Sequence, residues 1–217
     1  MDLTPLYLSA KLALTSTLLL LVLAVPLSYC LVYRRFRGLF LLESLTSLPL
    51  VLPPTVLGFF LLIGLGPDSI IGRYWQNIFG TPLVFTFAGI VAASMIHTLP
   101  YAIQPLKTAF QKIDQHLVET AYVLGTSRFG TFRRVILPNA KGGLLAAAIL
   151  AFAHIMGEFG VVLMVGGSIP GQTKVAAIAI FEQVETLQYR SAWLLSLTLL
   201  AMSYGVLLLF NYLNRTK

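Results

Sequence analysis

Five stretches of the chain are apolar at nearly every position. They run from about Leu12 to Tyr33, within Leu45 to Leu65, from about Leu83 to Ile103, from about Gly142 to Val165, and from about Trp193 to Leu213. Each is close to the roughly 20 residues that a helix needs to cross the hydrocarbon of a bilayer. Helices that are apolar all round are buried in lipid or in other helices, and do not face water on one side. The pattern predicts an all-α, polytopic membrane protein of about five transmembrane helices, with residues 1–217 forming a single transmembrane domain. Val175 to Phe181 is also apolar but too short to span, and is flanked by Lys174, Glu182 and Glu185. Interfacial and re-entrant readings both fit it.

Composition sharpens this picture. Hydrophobic residues make up 57 % of the chain and charged residues 11 %, and the mean hydropathy is +0.84. A soluble domain carries about 25 % charged residues, so a soluble enzyme is excluded. The net charge of +7 raises nucleic-acid binding, but basic residues also collect in the cytoplasmic loops of membrane proteins. Their distribution favours that second reading, and no nucleic-acid partner is expected. One side of the five-span arrangement holds Arg34, Arg35, Arg37, Lys107, Lys112, Arg128, Arg133, Arg134, Lys141, Arg215 and Lys217. The other holds only Lys11, Arg73, Lys174 and Arg190. The richer side is expected in the cytoplasm, with the N-terminus outside and the C-terminus inside. Asp2 and Lys11 precede the first run and the arginines follow it, the reverse of a cleavable signal, so an uncleaved span is expected. Cys30 is the only cysteine, so neither an intrachain disulfide nor a cysteine-based zinc site is available.

The chemistry-bearing segment lies between the third and fourth runs, from Lys107 to Lys141. Asp114 can cap a short helix that would place Leu117, Ala121 and Leu124 on one face. Gly125 supplies a left-handed stop. Thr126 or Ser127 can cap a second helix carrying Phe129, Phe132 and Ile136, with Pro138 ending it. By pattern alone, such a basic helix–turn–helix with apolar teeth could lie on lipid headgroups or dock on a protein.

The order of residues favours the protein. Glu119-Thr120-Ala121, three residues, Gly125, nine residues, then Val135-Ile136-Leu137-Pro138 resembles the EAA loop of ABC importer permeases. Thr120 replaces an alanine of that pattern and Val135 an isoleucine, while the spacing is kept. Leu48-Pro49-Leu50-Val51-Leu52-Pro53-Pro54-Thr55-Val56-Leu57-Gly58, Gly157-Glu158-Phe159-Gly160, and Gly166-Gly167-Ser168-Ile169-Pro170-Gly171-Gln172-Thr173 are similar to segments of molybdate permeases. Most of the chain is covered. The resemblance implies a type I ABC importer permease fold in the bacterial inner membrane. It also implies a homodimer, two ATPase subunits that bind ATP, and an external substrate-binding protein. Residues 107–141 would be the cytoplasmic coupling loop, with Glu119, Ala121 and Gly125 at or near the ATPase contact and Leu137 and Pro138 positioning the exit into span four. Molybdate is the expected substrate, with tungstate and sulfate as alternatives. A stand-alone secondary transporter and a structural membrane protein are rivals that the EAA spacing argues against. Relatives often carry arginine where this chain has His154, and some have a further N-terminal span.

Within the membrane, Pro53 and Pro54, with Pro49 before them, remove backbone donors and free carbonyls in span two. Either a kink or a break lining a pathway results. Glu158 and His154, four residues apart, would share a helical face in the outer third of the membrane. They form either a gate or latch, with each other or with a partner subunit, or a hydrated outer mouth. His97 and His116 stand alone in the sequence and read as structural. There is no HExxH, no other metal spacing and no nucleophile elbow around Ser168. There is also no phosphate-binding GxxxxGK[ST]. Catalytic residues, metal and cofactor are therefore expected to be none, and ATP hydrolysis is assigned to another chain.

Overall fold

The computed structural model describes residues 2–34 and 36–215. Arg35 and Lys217, counted above on the basic side, lie outside the described residues. Helices account for the order α1 (Thr4–Tyr33), α2 (Leu39–Ser47), α3 (Pro54–Leu65), α4 (Ile70–Phe79), α5 (Phe87–Gln111), α6 (Gln115–Val123), α7 (Arg128–Thr131), α8 (Leu137–Asn139), α9 (Lys141–Met156), α10 (Gly160–Gly166), α11 (Ala176–Glu185) and α12 (Tyr189–Arg215). The described residues contain no strand.

Three helices are singly long and apolar enough to cross a membrane: α1, α5 and the first 20 residues of α12. Two further crossings exist only as bent pairs. Leu39–Leu50 and Pro54–Leu65 meet at 116°, and Arg128–Asn139 and Lys141–Met156 meet at 71°. The expected second span is thus no straight helix. Pro53 has φ −55° and ψ 137°, the extended conformation imposed on a residue that precedes proline. The proline pair produces a break, not a kink. The expected fourth span is also divided. α9 stops at Met156, Gly157 and Glu158 turn, and α10 starts at Gly160.

α1 and α5 run antiparallel. At one end the Lys11 ammonium lies 4.6 Å from the centroid of the Phe87 ring. At the other, the Tyr33 hydroxyl donates to the Phe110 carbonyl at 3.1 Å. Together with α9 they form the centre of the molecule. Leu20, Ala24, Ala102, Leu106, Phe110, Ala147 and Ala151 make one buried cluster. The many alanines have a physical reason. Lipid tails are as apolar as leucine, so helices associate in a bilayer by close packing, which small residues permit.

α5 continues past Ile103 to Gln111, so the segment 107–141 opens inside a helix. There Lys107 pairs with Glu43 of α2, tying the segment before the proline break to the central helix. α11, the segment around Val175 to Phe181, buries Ala176, Ile178 and Ala179 against α1 and α12. It is a short packed helix. Its preceding loop is held by the Ser9 hydroxyl, which accepts from the Ala176 N–H at 2.9 Å, and by Glu182, which binds both Lys174 and Ser168. Burial pushes the Glu182 carboxyl up, but the hydrogen bonds from Lys174 and Ser168 outweigh it and hold it below the usual glutamate range. Ser168 is thereby part of a loop clamp.

Candidate functional site

Two regions carry the predicted site residues. In the loop, Asp114 caps α6 by accepting from the His116 N–H at 2.9 Å. The helix ends in a Schellman arrangement, with Gly125 N–H bonded to the Tyr122 carbonyl at 2.9 Å and Thr126 N–H to the Ala121 carbonyl at 3.0 Å. This requires a left-handed residue, and Gly125 has φ +78°. Ser127, not Thr126, then caps α7, its hydroxyl accepting from the Gly130 N–H at 3.1 Å.

The face presented by this unit differs from the periodicity argument. Ala121 is buried with Val118, while Leu117 and Leu124 stay exposed. The exposed crest consists of Val123 (87 %), Leu124 (78 %) and Phe129 (73 %). Glu119 is exposed on the same helix, 3.9 Å from His116. Pro138 does not end the second helix. A wide π turn over Phe132–Ile136 leads into α8, with Pro138 in its first turn. A wide turn tolerates a ring that lacks an N–H for the usual bond four residues back. Pro138 is exposed and Leu137 half-buried, and the fully buried Ile136 anchors the return to the central cluster.

The second region lies within the membrane. Glu158 is 5 % exposed, and its Oε1 lies 3.0 Å from Nδ1 of His97. His97, which the sequence leaves isolated, is therefore Glu158's partner. Its ring centroid is 4.9 Å from that of His154, and Tyr101 stacks on His154 at 4.0 Å. The expected helical pair of His154 and Glu158 is not formed, because α9 ends before Glu158. His154 Nε2 and Glu158 Oε2 remain buried without a hydrogen-bond partner. His97 lies ten residues into α5, ~15 Å from one end and ~21 Å from the other at 1.5 Å per residue. The cluster thus sits near the middle of α5 along its length.

The two helix breaks meet beside this cluster. A Cβ on Gly160 would lie 3.0 Å from Pro54 Cβ, and one on Gly58 would lie 2.8 Å from Met164 Cβ. α3 and α10 cross at glycines: the approach at Gly58 leaves no room for a Cβ, and that at Gly160 leaves barely enough. Pro53 and Pro54 are exposed, with Val51 (82 %) and Phe60 (59 %) beside them, whereas His154 and Glu158 face inward. The sequence missed His97 and Tyr101. Ser94, His97, Thr98 and Tyr101 recur at helical spacing, and this polar stripe on an apolar helix was the available signal. Among the described residues no group of three or more His, Cys, Asp or Glu could hold a metal.

Comparison with known proteins agrees with this architecture. Residues 21–217 match the family described as binding-protein-dependent transport system inner membrane component. The chain is 43 % identical over 216 residues to a molybdenum transport system permease protein of Azotobacter vinelandii, covering 100 % of this chain and 96 % of the relative. The corresponding protein of Escherichia coli strain K12 is 32 % identical, with 82 % and 78 % covered. A probable sulfate transport system permease protein of Nephroselmis olivacea is 31 % identical, with 94 % and 72 % covered. Among solved structures, a bacterial ABC transporter that imports alginate superposes with a TM-score of 0.75 at 16 % identity, covering 97 % of this chain and 79 % of that one. At that identity the likeness concerns the fold.

Proposed function

This chain belongs to the family of binding-protein-dependent transport system inner membrane components, and from that premise we propose that it is the membrane-spanning subunit of an ATP-driven molybdate importer. The observation that carries the reading is the loop at Gly125: a doubly capped turn that leaves Val123, Leu124 and Phe129 exposed. Exposed apolar side chains on a rigid polar turn are what a protein groove receives. The partner receiving them is an ATPase subunit, with Glu119 and Gly125 at the contact and Leu137 and Pro138 transmitting its movement into α9. Ala121 acts from inside, as packing for the crest.

Two copies of the chain form the pathway, and an external binding protein delivers the anion. The exposed break at Pro53 and Pro54 lines that pathway. Irregular backbone at membrane depth is tolerated only against protein or water. Glu158, His97 and His154 sit behind the break and hold α10 to α5. They act as a latch between states and not as anion ligands, since a carboxylate would repel the anion. The loop side of the molecule is cytoplasmic, which places the N-terminus outside and the C-terminus inside. The substrate rests on the relatives' described transport of molybdenum. Sulfate is the second reading, favoured by the relative at 31 % identity.

The test is uptake of labelled molybdate into proteoliposomes holding this chain with its cognate ATPase and binding protein. Uptake that needs ATP and resists excess sulfate is the expected result. ATP-dependent uptake abolished by sulfate would reassign the substrate, and failure to form a complex with the ATPase would overturn the coupling reading.

A further inference from the structure

Two adjoining depressions lie where α1 leaves the membrane beside the loop. One is a basin of about 590 Å³ lined by Arg34, Arg128, Tyr29, Tyr122, Thr126 and Ser127, among others. The second, of about 300 Å³, shares Tyr29 and the two arginines but is otherwise apolar, walled by Pro26, Phe129 and Phe132. The four ion pairs among the described residues involve no arginine, so both guanidinium groups face the basin without a carboxylate. The Ser127 hydroxyl accepts from Gly130 N–H, which leaves its own hydrogen to donate.

The apolar slot does not end at Pro26. Leu19, Val22, Leu23 and Pro26 follow at positions i, i+3, i+4 and i+7 of α1 and are all exposed, at 51 %, 70 % and 55 % for the first three. They form one apolar strip, running from the slot into the membrane. A cationic basin at the membrane boundary, an apolar slot below it and an apolar strip below that match the three parts of a phospholipid: phosphate, glycerol ester region and acyl chain. A soluble partner would satisfy the arginines and leave the strip unused.

We infer that Arg34 and Arg128 form a binding site for the phosphate of an anionic phospholipid, whose acyl chain lies along Pro26, Phe132 and the exposed face of α1. Arginine suits the role, since its planar fork pairs with two phosphate oxygens at once, and basic pockets on the cytoplasmic side of helix bundles recognise such headgroups. The site touches α1 and the turn that follows Gly125, so an occupied site braces the loop against the bundle. The inference rests on the proposed orientation of the loop toward the cytoplasm.

The experiment is native mass spectrometry of the chain purified with its ATPase and exchanged into mixed micelles of phosphatidylglycerol and phosphatidylcholine. The intact complex is expected to retain phosphatidylglycerol preferentially. The double variant Arg34→Gln with Arg128→Gln is expected to lose at least five-fold of that retention, and Arg34→Lys with Arg128→Lys to keep part of it, which excludes misfolding as the cause. The control Arg133→Gln with Arg134→Gln should retain lipid like the parent. Unchanged retention in the glutamine variant, or equal retention of phosphatidylcholine, overturns the inference. Displacement of the lipid by millimolar inorganic phosphate would make it a free-oxyanion site and also overturn the lipid assignment. Complex formation, read in the same spectra, reports separately on the coupling reading.

Discussion

At Glu158 a carboxylate is held inside a membrane protein by one imidazole, and a second imidazole lies within ring contact. Removing one member of a buried, hydrogen-bonded pair strands the other, which costs about 3 kcal/mol. Glu158→Ala is expected to lower the stability of the detergent-solubilised protein by roughly that amount, while Glu158→Gln, which keeps an oxygen toward His97, loses less. A double-mutant cycle with His97→Ala should show a coupling of about 1–3 kcal/mol. Additive losses in thermal unfolding would mean that the contact is not energetically made. Glu182 provides a pH readout at the same scale. Its pKa is lowered in the folded protein, so its contribution is fully present above the ordinary glutamate range and is lost as pH falls through its own depressed value. The loop 167–175 should therefore gain protease sensitivity on acidification below about pH 4.5, the unfolded range of glutamate. Lys174→Met should remove that dependence. A loop equally protected at all pH values would contradict it.

The element with most function in it is the loop around Gly125. Its conformation rests on two caps and one left-handed residue. Ser127→Ala removes the hydroxyl that accepts from Gly130 and should cost about 1 kcal/mol locally, read as faster amide exchange at residues 128–131. Gly125→Asp meets no steric neighbour, and aspartate tolerates the left-handed region better than most residues. This variant is expected to fold, keep basal ATP hydrolysis and lose most ATP-driven uptake, because a charge then stands in the apolar crest. Normal uptake would sink the coupling role of the turn. Much of this element was legible in advance, because caps, a glycine stop and spacing are local chemistry. Its outward face was not. Ala121 points inward and Leu124 outward because the loop returns through the buried Ile136, a constraint set by α5 and α9 and not by the helix's own period.

For the molecule as a whole, the bends matter more than the number of crossings. Two of the five expected spans are broken, and the breaks at Pro53–Pro54 and Gly157–Phe159 abut at Gly160. Enlarging that glycine should separate them. Gly160→Val is expected to reduce uptake severely, with little change in complex formation with the ATPase, which contacts the other end. Loss of the complex would instead mean that the crossing holds the whole bundle. The topology has its own test. Single cysteines at Ser69 and Lys112, in the Cys30→Ser background, should react with a membrane-impermeant reagent from opposite sides of sealed vesicles. Labelling of both from one side would refute the proposed orientation.

The membrane as solvent, the helical class, the presence of the long spans and the capped turn at Gly125 were all readable from the sequence, although α1, α5 and α12 run beyond the apolar stretches that announce them. Each follows from interactions within a few residues: apolar runs, missing N–H groups, a left-handed glycine. The tertiary structure alone decided that His97 partners Glu158, that the two helix breaks meet, and that Arg34 and Arg128 share a basin. Those contacts join residues 61, 106 and 94 positions apart in the pairs His97–Glu158, Pro54–Gly160 and Arg34–Arg128. In a bilayer, periodicity is silent about such pairs, because lipid and neighbouring helices are equally apolar. Only close packing at small residues chooses which faces touch.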